Sequence, residues 1–597
     1  MDLSDKFSRG KNQLIGTLQD SFKILLQLAV TVISAALLIW VLNFFVDWIL
    51  SLAIGILLGY VVWQVLDRLL WLRDPHRLDT SHPEVEYELV AGGKLLTEAE
   101  IESKQKALEK SGRTFRAGGF IIPEEDEVKG FAYVGAPGSG KTLNIRLHMQ
   151  AALAGVGKGS DHRALIFDAK GDMPQILSGM GFGIDGPSSL VRILHPYDTR
   201  SCRWAMHRDI TDLKTVNEIV PLFIPSGNSK DPIWEQLGRA LLEGVFQTFI
   251  LSGKPWTLRD VCNAMRSIER MQALFGLSVK TEGLIGKLLE GGKTTKSIEM
   301  TIYAYMKPFE FIAAVWEHAS EEVSLTEWLN HQSLILVLGL DGASGSALER
   351  LNQVIVTRLS QLIFQQHNSD TRRTWLYFDE LRQAGFFRLT PFATFGRSRG
   401  VGLVIGFQDM EGLESEYKEK DARELLGMCQ NKAIFALSTS GTAEWASGQF
   451  GKQQYLFRPT NNNGTQQSTG EQIQEQPVVR PDAFLYMEPF SKGSPHVGYY
   501  QTRVIGSYCR ALSPEFFTPP WLKPLDRSVE CLAVRGRTLR EGRALELSDW
   551  TMEEKLKWGL PMEEAKEAAA TEPDEKRATA VTPPDEELPR LFRKRRK

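Results

Sequence analysis

Phe131-Ala132-Tyr133-Val134-Gly135-Ala136-Pro137-Gly138-Ser139-Gly140-Lys141-Thr142 runs from an apolar, strand-like stretch straight into a loop of the form GxxxxGK[ST]. The order predicts a buried strand, a phosphate-binding loop and a helix starting near the lysine. Glycines let the backbone wrap closely round an anion, and the first N–H groups of the next helix, Leu143 included, point at it. Lys141 is expected to reach the β and γ oxygens of a nucleoside triphosphate, and Thr142 to ligate magnesium. Pro137 removes one backbone donor from that cradle, a tolerable loss because not every N–H of such a loop faces a phosphate.

Reading outward, "ALIFDAKGD" (Ala164 to Asp172) supplies a second strand at the βαβ rhythm of a parallel sheet. "WLYFDE" (Trp375 to Glu380) delivers two carboxylates to the carboxyl end of an apolar strand, the edge where open α/β sheets bind ligands. In the role of a Walker B segment, Asp379 would hold magnesium and Glu380 would act as general base on the attacking water. A further strand, Val401 to Phe407, ends in Gln408, placed to sense a γ-phosphate or position water. Just before it, "FGRSRGVG" sets Arg397 and Arg399 on a Gly-flanked loop, suited to an arginine finger across a subunit boundary or to a DNA-backbone contact, or simply solvated.

At 597 residues the chain exceeds one core, and its 43% hydrophobic and 24% charged residues are ordinary globular values. A net charge of -3 supplies no global basic field, so a nucleic-acid contact would have to be local. Cys202, Cys262, Cys429, Cys509 and Cys531 show no metal-ligand spacing and are expected to be reduced. Two apolar stretches, Ile24 to Phe45 and Trp48 to Leu66, are each long enough to span a bilayer as a helix. Lys6, Arg9, Lys11 and Lys23 precede them and Arg68, Arg73 and Arg77 follow, which places both flanks and the bulk of the chain on the cytoplasmic side. Next, "LTEAEIESKQKALEK" carries a capping-box start at Thr97 and Glu100 and reads as a connecting helix.

The co-linear set GAPGSGKT, "FDAKGD", "HPYDTRSCRWAMHRDI" (His195 to Ile210), "DPIWEQLGRALL" (Asp231 to Leu242), "FDE" and "GRSRGVGLVIGFQ" resembles the type IV secretion coupling proteins of the conjugative TraD/TrwB group. The resemblance covers roughly residues 20 to 455. It implies an α/β, RecA-like nucleotide-binding domain interrupted by an all-α domain and preceded by a two-helix transmembrane anchor. It also implies an ATPase using ATP and Mg2+ that forms a homo-hexamer in the bacterial inner membrane. Single-stranded DNA, the relaxase and relaxosome proteins, and components of the secretion channel are the implied partners. The nucleotide residues carry over onto Gly135, Gly138, Gly140, Lys141 and Thr142, the acids onto Asp379 and Glu380, and the glutamine onto Gln408.

The expected organisation is a cytoplasmic segment (1–23), two spans (24–67), a connector (68–115), two halves of the nucleotide domain (116–208 and 329–515), an all-α insertion (209–328) and a largely disordered extension (516–597). The insertion has independent support, because the stretch from Asp212 to Asn330 is dominated by helical patterns before "SLILVLGL" (Ser333 to Leu340) returns to a buried strand. "TNNNGTQQSTGEQIQEQ" (Thr460 to Gln476) reads as a mobile loop, and the terminal "RLFRKRRK" as a solvated or docking tail. The turn between the spans is too short for the periplasmic segment many relatives carry. Two other classes stay open: a coupling receptor for protein effectors, and a membrane DNA pump of the FtsK or HerA kind.

Overall fold

The computed structural model describes residues 27–36, 87–184, 186, 188–226, 232–288, 292–340, 346–385, 387–457, 460–463, 466–469, 472–530 and 545–560. Two compact units separate. One comprises Met1–Glu88 with Leu456–Ile473, the other Leu89–Tyr455 with Gln474–Lys597.

In the first unit, residues 27–36 are helical and expose Leu28, Val30, Val32 and Ile33. No helix among the described residues is long and apolar enough to cross a membrane. The expected span at Trp48 to Leu66, and both ends of the one at Ile24 to Phe45, lie outside the described residues. The Asn/Gln-rich segment read as a mobile loop contains a hairpin, Thr460–Asn463 pairing antiparallel with Gln466–Thr469. Its polar composition hid this, because Asn, Gln, Ser and Thr throughout leave no apolar alternation in the sequence to mark a strand.

The second unit is built on ten strands: β1 (Leu95–Leu96), β2 (Phe131–Val134), β3 (His162–Asp168), β4 (Val191–Leu194), β5 (Ile335–Gly339), β6 (Arg373–Phe378), β7 (Val401–Phe407), β8 (Asn431–Ile434), β9 (His496–Thr502) and β10 (Gly506–Leu512). They lie side by side in the order β1-β10-β9-β8-β2-β7-β6-β3-β5-β4. From β8 to β4 all pairs are parallel, while β9 and β10 add an antiparallel margin. The central parallel strands are buried along nearly their whole length because both faces of the sheet are covered. Phe131 and Tyr133 face a layer with His148, Trp375 and Tyr377, whereas Ala132 and Val134 face the opposite one with Leu376 and Phe378. Ahead of this core, α1 (Glu98–Ser111) starts on the reciprocal Thr97–Glu100 capping box, and α2 (Lys141–Ala152) follows the phosphate loop.

Between β4 and β5 the chain leaves the sheet and forms successive helices, among them Leu213–Phe223, Ile233–Ser252, Leu258–Ala264, Ile268–Phe275, Val279–Leu288, Gly292–Glu317 and Leu325–His331. Its entry and exit are stitched together, Arg203–Trp204 pairing parallel with Glu322–Val323. The buried Asp209 carboxylate clasps the same junction, accepting from Trp204 Nε1 (2.7 Å), Ser324 Oγ (2.8 Å), Leu325 N (2.7 Å) and Thr326 N (2.9 Å). A carboxylate with four donors is stable in a dry site only because each lone pair it loses to water is replaced.

The expectation of a largely disordered C-terminal extension needs correction for 516–530 and 545–560, while 531–544 and 561–597 lie outside the described residues. The first of these pieces packs on the sheet domain, where Arg146 Nη2 donates to the Lys523 carbonyl (2.5 Å) and Asp526 N to the Gln175 carbonyl (3.0 Å). The second docks on the helical insertion. Trp550 and Trp558 are buried, and both indole N–H groups donate to Asp260 Oδ1 (2.7 and 3.2 Å). Arg259 forks onto Glu554 (2.8 and 3.1 Å) and Arg270 onto Asp549 (2.8 and 2.9 Å). Burial pulls the Asp549 carboxyl upward, yet the Arg270 hydrogen bonds and charge overcome it and hold it down at about 2. The acidic composition of this stretch is therefore the complement of a basic helix surface, a relation that one-dimensional reading cannot display.

Candidate nucleotide-binding site

Strand register assembles the site. Phe407 pairs with Val134, so Gln408 lies beside the start of the glycine loop. Phe378 pairs with Ile405 on one side and with Phe167 on the other, so Asp379 and Glu380 emerge level with Gln408 and Asp168. Because these strands are parallel, every one of these residues leaves the sheet at the same carboxyl edge.

The loop itself bends through two glycines in left-handed conformations, Gly138 (φ 78°) and Gly140 (φ 85°). A Cβ on Gly140 would also come within 2.8 Å of the His496 ring, and Phe490 N donates to the Gly138 carbonyl (3.1 Å), so the segment before and into β9 braces the loop from behind. Burial depresses the His496 imidazole to about 4, keeping it neutral there. α2 begins with no side-chain cap on its N-terminus. Its leading N–H groups, from Lys141 to Leu143, are thus available to an anion, and the aligned peptide dipoles favour negative charge at that end. Ala136 N is used structurally, donating to the Ala436 carbonyl (2.8 Å), and Ser139 N turns inward to the Ala136 carbonyl (3.0 Å). Ala136, Pro137 and Ser139 therefore shape the loop.

Two lysines meet the two acids. Lys141 Nζ donates to Glu380 Oε2 (3.2 Å), which also accepts from Gln408 Nε2 (2.6 Å). Thr142 Oγ1 donates to Asp379 Oδ2 (2.9 Å), and Lys170 Nζ reaches both Asp379 Oδ2 (3.0 Å) and Thr142 Oγ1 (3.3 Å). Asp379 and Glu380 are both buried, and Asp379 Oδ1 has no hydrogen-bond partner among the described residues. An unsatisfied buried carboxylate oxygen beside a hydroxyl suits a hard cation with oxygen ligands, so the donor set fits magnesium.

Lys170 and Asp168 carry no role in the sequence reading, although "FDAKGD" contains both. Asp168 shapes the turn that presents Lys170, its Oδ1 accepting from the N–H groups of Lys170 (3.2 Å), Gly171 (2.7 Å) and Asp172 (3.3 Å) and its Oδ2 from Met173 (3.0 Å). Burial, reinforced by the Asp172 charge, raises the Asp168 carboxyl to about 6 against the pull of those N–H groups. The available signal was a polar run straight after a buried strand. Its relevance needed β3 to neighbour β6, a long-range pairing.

Arg397 and Arg399 are not brought to this site. They precede β7 and so sit at its opposite end, about 20 Å away at about 3.3 Å per strand residue. The Arg399 guanidinium is committed to the carbonyls of Gln366 (3.0 Å), Phe395 (2.8 Å) and Phe364 (3.2 Å) and lies over the Phe364 ring. Arg397 forms no ion pair or side-chain hydrogen bond among the described residues and is half-buried. Neither arginine lies at the phosphate loop of this chain.

Residues 114–492, more than half of the chain, match the family model described as the type IV secretion-system coupling protein DNA-binding domain. Coupling protein TraD of Escherichia coli (strain K12) is 23% identical over 382 residues, 62% of this chain and 50% of that protein, so the chain spans about half the length of this curated relative. Among solved structures, the bacterial conjugative coupling protein TrwBdeltaN70 in its unbound form superimposes with a TM-score of 0.58 at 19% identity, over 76% of this chain and 98% of that one. TrwB in complex with the non-hydrolysable ATP analogue ADPNP gives 0.56 at 19% identity, over 76% and 98%. TrwB in complex with ADP and Mg2+ gives 0.54 at 18% identity, over 76% and 99%. With its carboxyl-edge site, interrupted sheet and matched residues together, the chain belongs to the type IV secretion-system coupling protein family.

Proposed function

We propose that this protein is an ATPase of a conjugative type IV secretion system that drives single-stranded DNA from the relaxosome towards the channel. The observation that carries the reading is the convergence of Lys141, Thr142, Asp379, Glu380 and Gln408 at one sheet edge beside an uncapped helix N-terminus. The family's DNA-binding description and TrwB's nucleotide complexes point the same way.

On this reading Lys141 gives up Glu380 and donates to the β and γ oxygens of ATP, while the N–H groups of the loop and of Leu143 hold the remaining phosphate charge. Thr142 and Asp379 would hold magnesium, which neutralises charge developing on the transferred phosphoryl group when bound. Glu380, freed from Lys141 and still oriented by Gln408, accepts the proton of the attacking water. The residues shaping the loop, Gly135 to Gly140, keep these groups in place and so lower the entropic part of the barrier. Residues 24–67 anchor the chain in the inner membrane, a ring of six copies provides a DNA passage, and Arg397 is the loop arginine left to contact a neighbouring subunit or the DNA backbone.

The test is transfer of the conjugative element from donor cells whose copy of this gene encodes Lys141→Ala. Transfer is expected to vanish while protein level and membrane association stay as in wild type. Undiminished transfer would overturn the reading.

A further inference from the structure

Lys170 stands apart from the groups that bind and cleave the triphosphate. Its side chain is 43% exposed, yet its ammonium bridges Asp379 Oδ2 (3.0 Å) and Thr142 Oγ1 (3.3 Å). Both oxygens belong to the side chains that the proposed function gives to magnesium, the Thr142 hydroxyl and the Asp379 carboxylate. A monovalent ammonium and a divalent cation cannot both take one carboxylate oxygen and one hydroxyl at contact distance, because steric overlap and like charge forbid it.

The backbone under Lys170 is built to stay put while the side chain moves. Four N–H groups, from Lys170 to Met173, close on the buried Asp168 carboxylate, and Gly171 takes the left-handed conformation (φ 74°) that lets the turn close. Asp172, half-buried, leaves its Oδ1 without a hydrogen-bond partner among the described residues. It provides an acidic resting place on the same turn for an ammonium that has left Asp379.

We propose that Lys170 is a positioning residue that holds Asp379 and Thr142 together in the nucleotide-free state and is exchanged for the divalent cation when a metal–nucleotide complex binds. The exchange makes cation entry dependent on nucleotide. Without phosphates to add ligands, the ion does not outcompete a tethered ammonium already seated on the carboxylate. With them, it does. The inference rests on the nucleotide-site reading above, and its test separates the two.

Mn2+ binding to the purified full-length protein, followed by the loss of the free-ion EPR signal, is measured with and without ADP for wild type, Lys170→Met, Lys170→Arg and Lys141→Ala. Removing one charge-assisted competitor is expected to tighten Mn2+ binding by about tenfold or more in Lys170→Met. It should also allow measurable Mn2+ binding without ADP, where wild type shows little. Lys170→Arg keeps the charge and is expected to stay within about threefold of wild type. Equal or weaker Mn2+ binding in Lys170→Met, with ADP affinity unchanged, would overturn the exchange while leaving the site reading intact. Absence of ADP-dependent Mn2+ binding in wild type, or its persistence at full strength in Lys141→Ala, would overturn both.

Discussion

Replacing Glu380 by glutamine separates binding from chemistry in opposite directions. Glu380 Oε2 is buried and accepts from Lys141 Nζ (3.2 Å) and Gln408 Nε2 (2.6 Å). For Lys141 to reach a triphosphate it must leave this carboxylate, so the ion pair subtracts from nucleotide affinity. A buried hydrogen bond to a charged partner contributes about 1.5–3 kcal/mol. Glu380→Gln keeps the shape and an oxygen for Gln408 but removes the charge that restrains Lys141. Nucleotide binding is then expected to tighten by about ten- to a hundredfold. The same change removes the general base, which lowers hydrolysis by about 10²–10⁴-fold. Equilibrium titration with a fluorescent ATP analogue and single-turnover hydrolysis under the same conditions read the two effects separately. Weaker nucleotide binding in Glu380→Gln would refute the restraint, and hydrolysis at the wild-type rate would refute the base.

Two other outcomes bear on the scaffold. Trp558→Ala removes a fully buried indole packed on Phe249 (4.8 Å between ring centroids) and hydrogen-bonded to Asp260, and large-to-small changes of this kind cost about 3–5 kcal/mol. The tail segment 545–560 should become cleavable in limited proteolysis while the phosphate-loop domain resists; an unchanged digestion pattern would contradict the docking. Burial lowers the His148 imidazole to about 3 from an ordinary value of 6.5, so between those pH values the unfolded chain binds the extra proton and stability falls as pH falls. His148→Gln, which can still bond Tyr377, should reduce the slope of unfolding free energy between pH 6 and pH 4 by about 1.4 kcal/mol per pH unit, measured by urea titration. Identical slopes would show that His148 charges in the folded state.

The part of the site written in contiguous residues was legible in the sequence. The loop from Gly135 to Thr142 specifies its own geometry through glycines that alone adopt its turns, and Asp379, Glu380 and Gln408 each follow an apolar run, Trp375 to Phe378 or Val401 to Phe407, at the carboxyl edge where a parallel sheet binds ligands. What the sequence left dark depends on pairing between distant segments. Lys170 acquires meaning only because β3 lies against β6, and His496 and Phe490 only because the chain returns behind the loop some 350 residues later in sequence, by about that separation. The packed pieces of the tail, 516–530 and 545–560, were missed for the same reason. Its acids at Asp549 and Glu554 resemble a solvated run until Arg270 and Arg259 are seen facing them, and its two tryptophans were the clue that composition overruled. Arg397 and Arg399 lie at the end of β7 away from the phosphate loop, as the direction of that strand dictates.

The central claim, that the carboxyl-edge site is a nucleotide motor acting on DNA, is tested most directly by the rate of ATP hydrolysis of the purified protein with and without single-stranded DNA, at low and moderate salt, beside Lys141→Ala. The account predicts hydrolysis that DNA stimulates, a stimulation that weakens as salt screens the phosphate backbone, and no activity in Lys141→Ala. Hydrolysis that survives in Lys141→Ala, or a Lys141-dependent rate indifferent to DNA at either salt concentration, would contradict it.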